Sequence, residues 1–155
     1  MTNEAAYGPA VQNAFCYEDQ VLVEKFVKGR ELTIGVMGGK AMPAVEIIPK
    51  EGFYDYRNKY QSGKTEEICL APLTREETER LERTAEVVAR TLLIDVYCRV
   101  DFIMDEAGKL FCLEANTLPG MTATSLIPQK HSAGHGLRCA VRKNIEESEK
   151  KYIAL

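Results

Sequence analysis

Apolar and polar positions alternate most sharply between Arg99 and Asn116. Val100, Phe102 and Met104 fall on one parity, and Arg99 and Asp101 on the other. After Asp105-Glu-Ala-Gly108 a second run sets Phe111, Leu113 and Ala115 against Cys112, Glu114 and Asn116. A period of two predicts strands, and the Gly-containing cluster between them predicts a tight turn. An even loop centred on Ala107-Gly108 would place Asp101 across from Glu114 and Arg99 across from Asn116. Upstream, Val21–Val27 reads as a strand that turns at Lys28-Gly29-Arg30 into a second, Glu31–Met37. Gly38-Gly39 is a hairpin dipeptide, and Ala41–Ile48 reads as a third strand ended by Pro49. Thr74-Arg-Glu-Glu77 has the form of a capping box. It opens a helix to about Leu93, with Leu81, Ala85, Val88 and Leu92 at helical spacing. The predicted class is α+β: an antiparallel sheet flanked by helices.

The hairpin's polar face carries the first candidate chemistry. Carboxylates facing each other across a ladder repel, so Asp101 opposite Glu114 calls for a cation. Mg²⁺ takes oxygen ligands, commonly one or two carboxylates plus substrate phosphates. Asp101, Glu114 and Asn116 are therefore candidate metal ligands, and a solvated charged hairpin face is the alternative. The next segment, Thr117-Leu-Pro119-Gly120-Met121-Thr122, leaves directly from these residues. Its Pro-Gly pair fixes a turn and lets backbone approach a ligand closely.

Residues 51–66 form a second feature, a long polar stretch holding Phe53, Tyr54, Tyr56 and Tyr60. Long irregular loops in compact domains are usually lids or binding loops, and an aromatic docking loop is the other reading. His131 and His135 are four apart, but Gly134 and Gly136 break a regular helix and no acid lies close by. They read as surface histidines.

Composition narrows the classes. With 155 residues and 45% hydrophobic content, the chain is one domain's worth with a real core. A net charge of −3 provides no basic footprint for nucleic acid. No apolar run reaches the roughly 18 residues of a membrane span, and the N-terminal segment lacks the pattern of a signal peptide. Cys16, Cys69, Cys98, Cys112 and Cys139 are odd in number and form no Cys-x-x-Cys pair. They read as free thiols, which places the chain in a reducing cytoplasm.

Arg99-Val-Asp-Phe, followed by Leu113-Glu-Ala-Asn-Thr-Leu-Pro-Gly-Met-Thr122, resembles the metal-binding end of the ATP-grasp fold. Within that superfamily it resembles the D-alanine–D-alanine ligases, from about Val21 to about Pro128. The resemblance implies an ATP-grasp C-terminal subdomain at 21–155, with residues 1–20 a remnant of a preceding segment and an ω-loop at 51–66. It implies ATP-driven joining of two D-alanines through an acyl phosphate, for peptidoglycan precursors, with ATP and a pair of Mg²⁺ or Mn²⁺ ions as cofactors.

The same resemblance assigns roles by position. Lys25 and Val27 would hold adenine through their backbone, Glu24 would accept from its amino group, and Phe26 would pack on the ring. Glu31 would reach the ribose, Lys59 the γ-phosphate, and Tyr60 would close over the substrates. Asp101, Glu114 and Asn116 would hold the metals. Arg99 and the backbone N–H of Gly120 would stabilise the oxyanion, and Ser125 and Leu126 would bind the second D-alanine's carboxylate. Lys59-Tyr60 favours a dipeptide over a D-alanyl-D-lactate product. No Gly/Ser-rich phosphate-covering loop of the family occurs here, so the chain is expected to be a C-terminal half, inactive alone, with the N-terminal ligase half as its partner. A second copy of the chain is a further candidate partner. A non-catalytic nucleotide- or metal-binding module, and another ATP-grasp carboxylate–amine ligase, stay open as alternatives.

Overall fold

The structure is a computed structural model that describes residues 4–49 and 65–118, together with Arg142, Ile145, Glu146, Ser148 and Glu149, which are helical. Lys59, Tyr60, Gly120, Ser125, Leu126, His131 and His135 lie outside the described residues, as do residues 51–64 of the aromatic loop.

A 3-10 turn, Glu4–Ala6, leads into helix α1, Tyr7–Ala14. The strands are β1, Gly29–Met37; β2, Lys40–Ala41; β3, Val45–Pro49; β4, Thr65–Cys69; β5, Tyr97–Asp105; and β6, Leu110–Asn116. Helix α2, Arg75–Thr91, separates β4 from β5. The sheet is antiparallel in the order β4-β3-β1-β5-β6, with β2 also paired to β1. The longest ladder joins β1 to β5, from Gly29 opposite Asp105 to Met37 opposite Tyr97.

Parity along these two strands decides what each face does. Leu32, Ile34 and Val36 of β1, with Cys98, Val100, Phe102 and Met104 of β5, form one buried cluster with Leu81, Ala85 and Ala89 of α2. Burying such side chains is the main favourable term in folding. The opposite parity sets Glu31 and Thr33 beside Arg99 and Asp101, away from α2. Val45 and Ile47 form a small second cluster with Cys69.

Helix α2 begins as its sequence signal indicates. The Thr74 hydroxyl accepts from the Glu77 N–H, and the Glu77 carboxylate accepts from the Thr74 N–H at 2.8 Å. At the other end Leu92 caps the helix and is exposed, and Ala89 takes the core position that spacing assigns to Leu92. The Leu93 N–H donates to the Arg90 carbonyl and the Ile94 N–H to the Ala89 carbonyl. This is the Schellman pattern, which puts one residue in the left-handed region. That residue is Leu93, at φ 56.

Two expectations are corrected, and one strand had no sequence signal. Val21–Val27 is not a strand: residues 20–28 are irregular, with Leu22, Val23 and Phe26 exposed. A segment of strand composition holds as a strand only where it joins a ladder, and this one is part of none in the described sheet. The third predicted strand is split, because Pro43 has no N–H to give the ladder. Pairing with β1 slips by one residue across Met42–Ala44, from Val36 opposite Ala41 to Thr33 opposite Val45. Strand β4 lacks the alternation that marks a strand, yet pairs along β3 from Val45 opposite Cys69 to Pro49 opposite Thr65. The Gly38-Gly39 turn is as expected, both residues having positive φ.

A leucine held left-handed costs about 1 kcal/mol that glycine avoids, and Leu93 is 81% exposed, so little packing is at stake. Leu93→Gly should stabilise the chain by about 1 kcal/mol and Leu93→Val should destabilise it, measured by urea denaturation.

Candidate functional site

The β5–β6 hairpin brings the candidate residues together by a route that alternation does not reveal. Its turn holds three residues, Glu106 to Gly108: the Asp105 N–H donates to the Lys109 carbonyl, and Gly108 has φ +77. That turn sets Met104 opposite Leu110 and Phe102 opposite Cys112. Continued unbroken, the ladder would put Glu114 opposite Val100, on the face that α2 covers. The register instead shifts between Phe102 and Asp101, leaving Leu113 as an extra residue. Beyond this bulge Asp101 faces Glu114 and Arg99 faces Asn116, the pairing expected from the sequence. The face assigned to Phe111 is corrected: it lies opposite Ile103 and no longer shares parity with Ala115. Bulges occur often beside active sites, where they re-aim side chains.

Arg99 is the cation among these acids. Its Nε donates to Asp101 Oδ1 at 2.9 Å and its Nη2 to Oδ2 at 2.7 Å, a fork on one carboxylate. The same Nη2 lies 3.3 Å from Glu114 Oε1. The Arg99 side chain is 10% exposed and that of Asp101 18%, whereas Glu114 is 53% exposed. From β1, the Thr33 hydroxyl donates to Asp101 Oδ1 at 2.6 Å. Asn116 accepts from the Leu118 N–H at 2.9 Å through Oδ1, which leaves that oxygen a second lone pair.

A cavity of about 240 Å³ opens beside this group, with Glu31, Asp101 and Glu114 as its acids and Leu32, Ile47, Phe102 and Leu113 as its walls. Burial, and then the charge of Asp101, push the Glu31 carboxyl above its ordinary value. Burial, and then Asp101, likewise raise the Cys112 thiol, so it is a poor nucleophile at neutral pH. Glu24, Lys25, Phe26 and Val27 lie in the irregular lead into β1, and none of them lines this cavity.

The donor set suits a hard cation. Asp101 and Glu114 supply carboxylate oxygens and Asn116 an amide oxygen, the chemistry that Mg²⁺ or Mn²⁺ accepts. Among the described residues no three His, Cys, Asp or Glu side chains are grouped to hold a metal. A metal bound here would take two carboxylates and an amide from the protein, and water or phosphate oxygens would have to complete its shell. Thr33 and Leu113 were not found by sequence reasoning. Thr33 shares parity with Glu31, but only the β1–β5 register shows that it meets Asp101.

A carboxyl raised in the folded state adds stability below its unfolded value, near 4.5, and loses that contribution as pH rises through the folded value. Glu31→Gln should therefore be more stable than the parent chain at pH 7, and the gap should close as pH falls below about 4. Paired denaturation curves at the two pH values check this.

The family model described as "D-ala D-ala ligase C-terminus" matches residues 1–142. The D-alanine–D-alanine ligase of Geobacter sulfurreducens is 48% identical over 120 residues, covering 77% of this chain and 38% of that protein. The ligase of Methylacidiphilum infernorum is 46% identical over 124 residues, covering 80% of this chain and 41% of that protein. This chain therefore spans about two-fifths of the length of these relatives. Among solved structures, the Bacillus anthracis D-alanine–D-alanine ligase complexed with ATP superposes with a TM-score of 0.80 at 30% identity, covering 97% of this chain and 49% of that one. The VanG D-Ala:D-Ser ligase of Enterococcus faecalis gives 0.79 at 26% identity, covering 93% and 43%. A six-stranded antiparallel sheet backed by α2, with Arg99, Asp101 and Glu114 gathered on its other face, agrees with these matches, and the chain belongs to the D-alanine–D-alanine ligase C-terminal family.

Proposed function

We propose that this chain is the metal- and phosphate-handling part of an ATP-dependent ligase that joins two D-alanines for peptidoglycan precursors in the cytoplasm. The observation that carries this reading is the cluster of Arg99, Asp101 and Glu114 on the sheet face opposite the one that packs against α2. Rigid strands hold its members, and both signs of charge are present.

Asp101, Glu114 and Asn116 would hold Mg²⁺ or Mn²⁺, which would neutralise charge on the phosphoryl group as it moves between anions. Lys59 would add an ammonium at the γ-phosphate, and Tyr60 would close over the substrates. Glu24, Lys25, Phe26 and Val27 would take adenine, and Glu31 the ribose. Attack of the second D-alanine's amine on the acyl phosphate creates an oxyanion. Arg99 and the Gly120 N–H would stabilise it, since fixed donors are most effective where charge develops. Ser125 and Leu126 would fix the attacking substrate's carboxylate.

No side chain needs to be a nucleophile, because ATP provides the activation. Holding two reactants together can supply roughly 7–11 kcal/mol of a barrier. The chain has no assigned site for the first D-alanine, so we expect no turnover by it alone.

Titration with Mn²⁺, followed by paramagnetic relaxation of water protons, should show binding to the chain, and Glu114→Ala should abolish it. Equal binding by the variant would remove the metal assignment. The purified chain should release no phosphate from ATP and D-alanine above background. Joined in trans or by fusion to the N-terminal part of a related ligase, it should turn over, and Arg99→Ala should then lower kcat by about 10²–10³. D-alanyl-D-alanine formation by the 155-residue chain alone would overturn the two-part reading.

A further inference from the structure

Thr33 is fully buried in the middle of β1, directly opposite Asp101 in the β1–β5 ladder. A buried threonine satisfies its hydroxyl at small cost by bonding a carbonyl of its own strand or turn. Here the hydroxyl crosses to the neighbouring strand and donates to Asp101 Oδ1 at 2.6 Å, a short bond of the charge-assisted kind. Arg99 Nε donates to the same oxygen at 2.9 Å, and Arg99 Nη2 to Oδ2 at 2.7 Å. Asp101 is thus held from two directions: from its own strand by Arg99, and from β1 by Thr33.

We propose that Thr33 is a positioning residue: its hydroxyl fixes the rotamer of Asp101 so that the carboxylate presents its remaining lone pairs towards Glu114 and the cavity. This rests on the assignment of Asp101 as a metal ligand made above. Arg99 alone does not define the orientation. It also reaches Glu114, at 3.3 Å, and a cation entering between the two acids competes with its guanidinium for both. Thr33 carries no charge and has no reason to leave when a cation arrives. It therefore keeps Asp101 in place in the metal-free and the loaded chain alike. The groups that hold a metal's ligands commonly change affinity about 10–100-fold when removed.

The experiment compares Thr33→Val, which keeps the shape and loses the hydroxyl, with Thr33→Ser, which restores it. Mn²⁺ dissociation constants are read by water-proton relaxation on the 155-residue chain, with far-UV circular dichroism confirming that each variant is folded. Thr33→Val should weaken Mn²⁺ binding by about 10-fold, and Thr33→Ser should recover most of it. If valine prevents folding, Thr33→Ala, which also lacks the hydroxyl, carries the same prediction.

A metal-free readout separates the two claims. The destabilisation caused by Thr33→Val in urea should be clearly smaller in an Asp101→Ala background, because the hydroxyl's partner is then gone. Additive effects would overturn the positioning role, as would Mn²⁺ binding that is equal in the parent chain and Thr33→Val. A parent chain that binds no Mn²⁺ would instead overturn the metal assignment of Asp101, and with it the functional part of this inference.

Discussion

The ladder between β1 and β5 is the constraint on which the rest depends. It runs unbroken from Gly29 opposite Asp105 to Met37 opposite Tyr97, and its two parities do opposite things. One parity buries Leu32, Ile34, Val100 and Phe102 beneath α2. The other lines up Glu31 and Thr33 with Asp101 and Arg99. A slip of one residue would exchange the faces, exposing the core and burying the acids. The hydrophobic demand of the α2 face therefore specifies the geometry of the polar one. Gly29 belongs to this constraint, since a β-carbon there would collide with the Met104 carbonyl oxygen.

The polar face is a balance of charges in a half-dry setting. Glu31, Asp101 and Glu114 line one cavity, and Arg99 provides the cation within reach of two of them. Burying an acid beside another costs stability, visible in the Glu31 carboxyl, which burial and then the charge of Asp101 push upward. Such costs are common at sites whose charges await a ligand. Removing Arg99 would leave Asp101, a largely buried carboxylate, without its fork, and breaking a buried pair typically costs about 3–5 kcal/mol. Structure and proposed function press on this residue together, so the catalytic role proposed for it has to be read as a loss of turnover in a folded variant.

Much of this was legible in the residues, and the failures have identifiable causes. The capping box at Thr74 and Glu77 and the Gly38-Gly39 turn depend on local chemistry, and both formed as expected. The facing of Asp101 with Glu114 was expected from an even loop. It arises instead from a three-residue turn corrected by a bulge at Leu113, two irregularities that cancel at the site but not at Phe111. Val21–Val27 has the composition of a strand, but it joins none of the described ladders. Thr33 went unnoticed because its importance lies in a partner 68 residues away. Long-range register, unlike period, leaves no local mark.

The central claim is that Asp101 and Glu114 form one cation site on this chain, with Arg99 holding them until the cation arrives. Crystals of the chain grown with MnCl₂ and a non-hydrolysable ATP analogue, measured at the manganese absorption edge, test it most directly. An anomalous peak is expected within about 2.1 Å of oxygens from both Asp101 and Glu114, with the Arg99 guanidinium drawn away from Glu114 and Thr33 still bonded to Asp101. A peak elsewhere, or none, with Arg99 unmoved between the two acids, would contradict it.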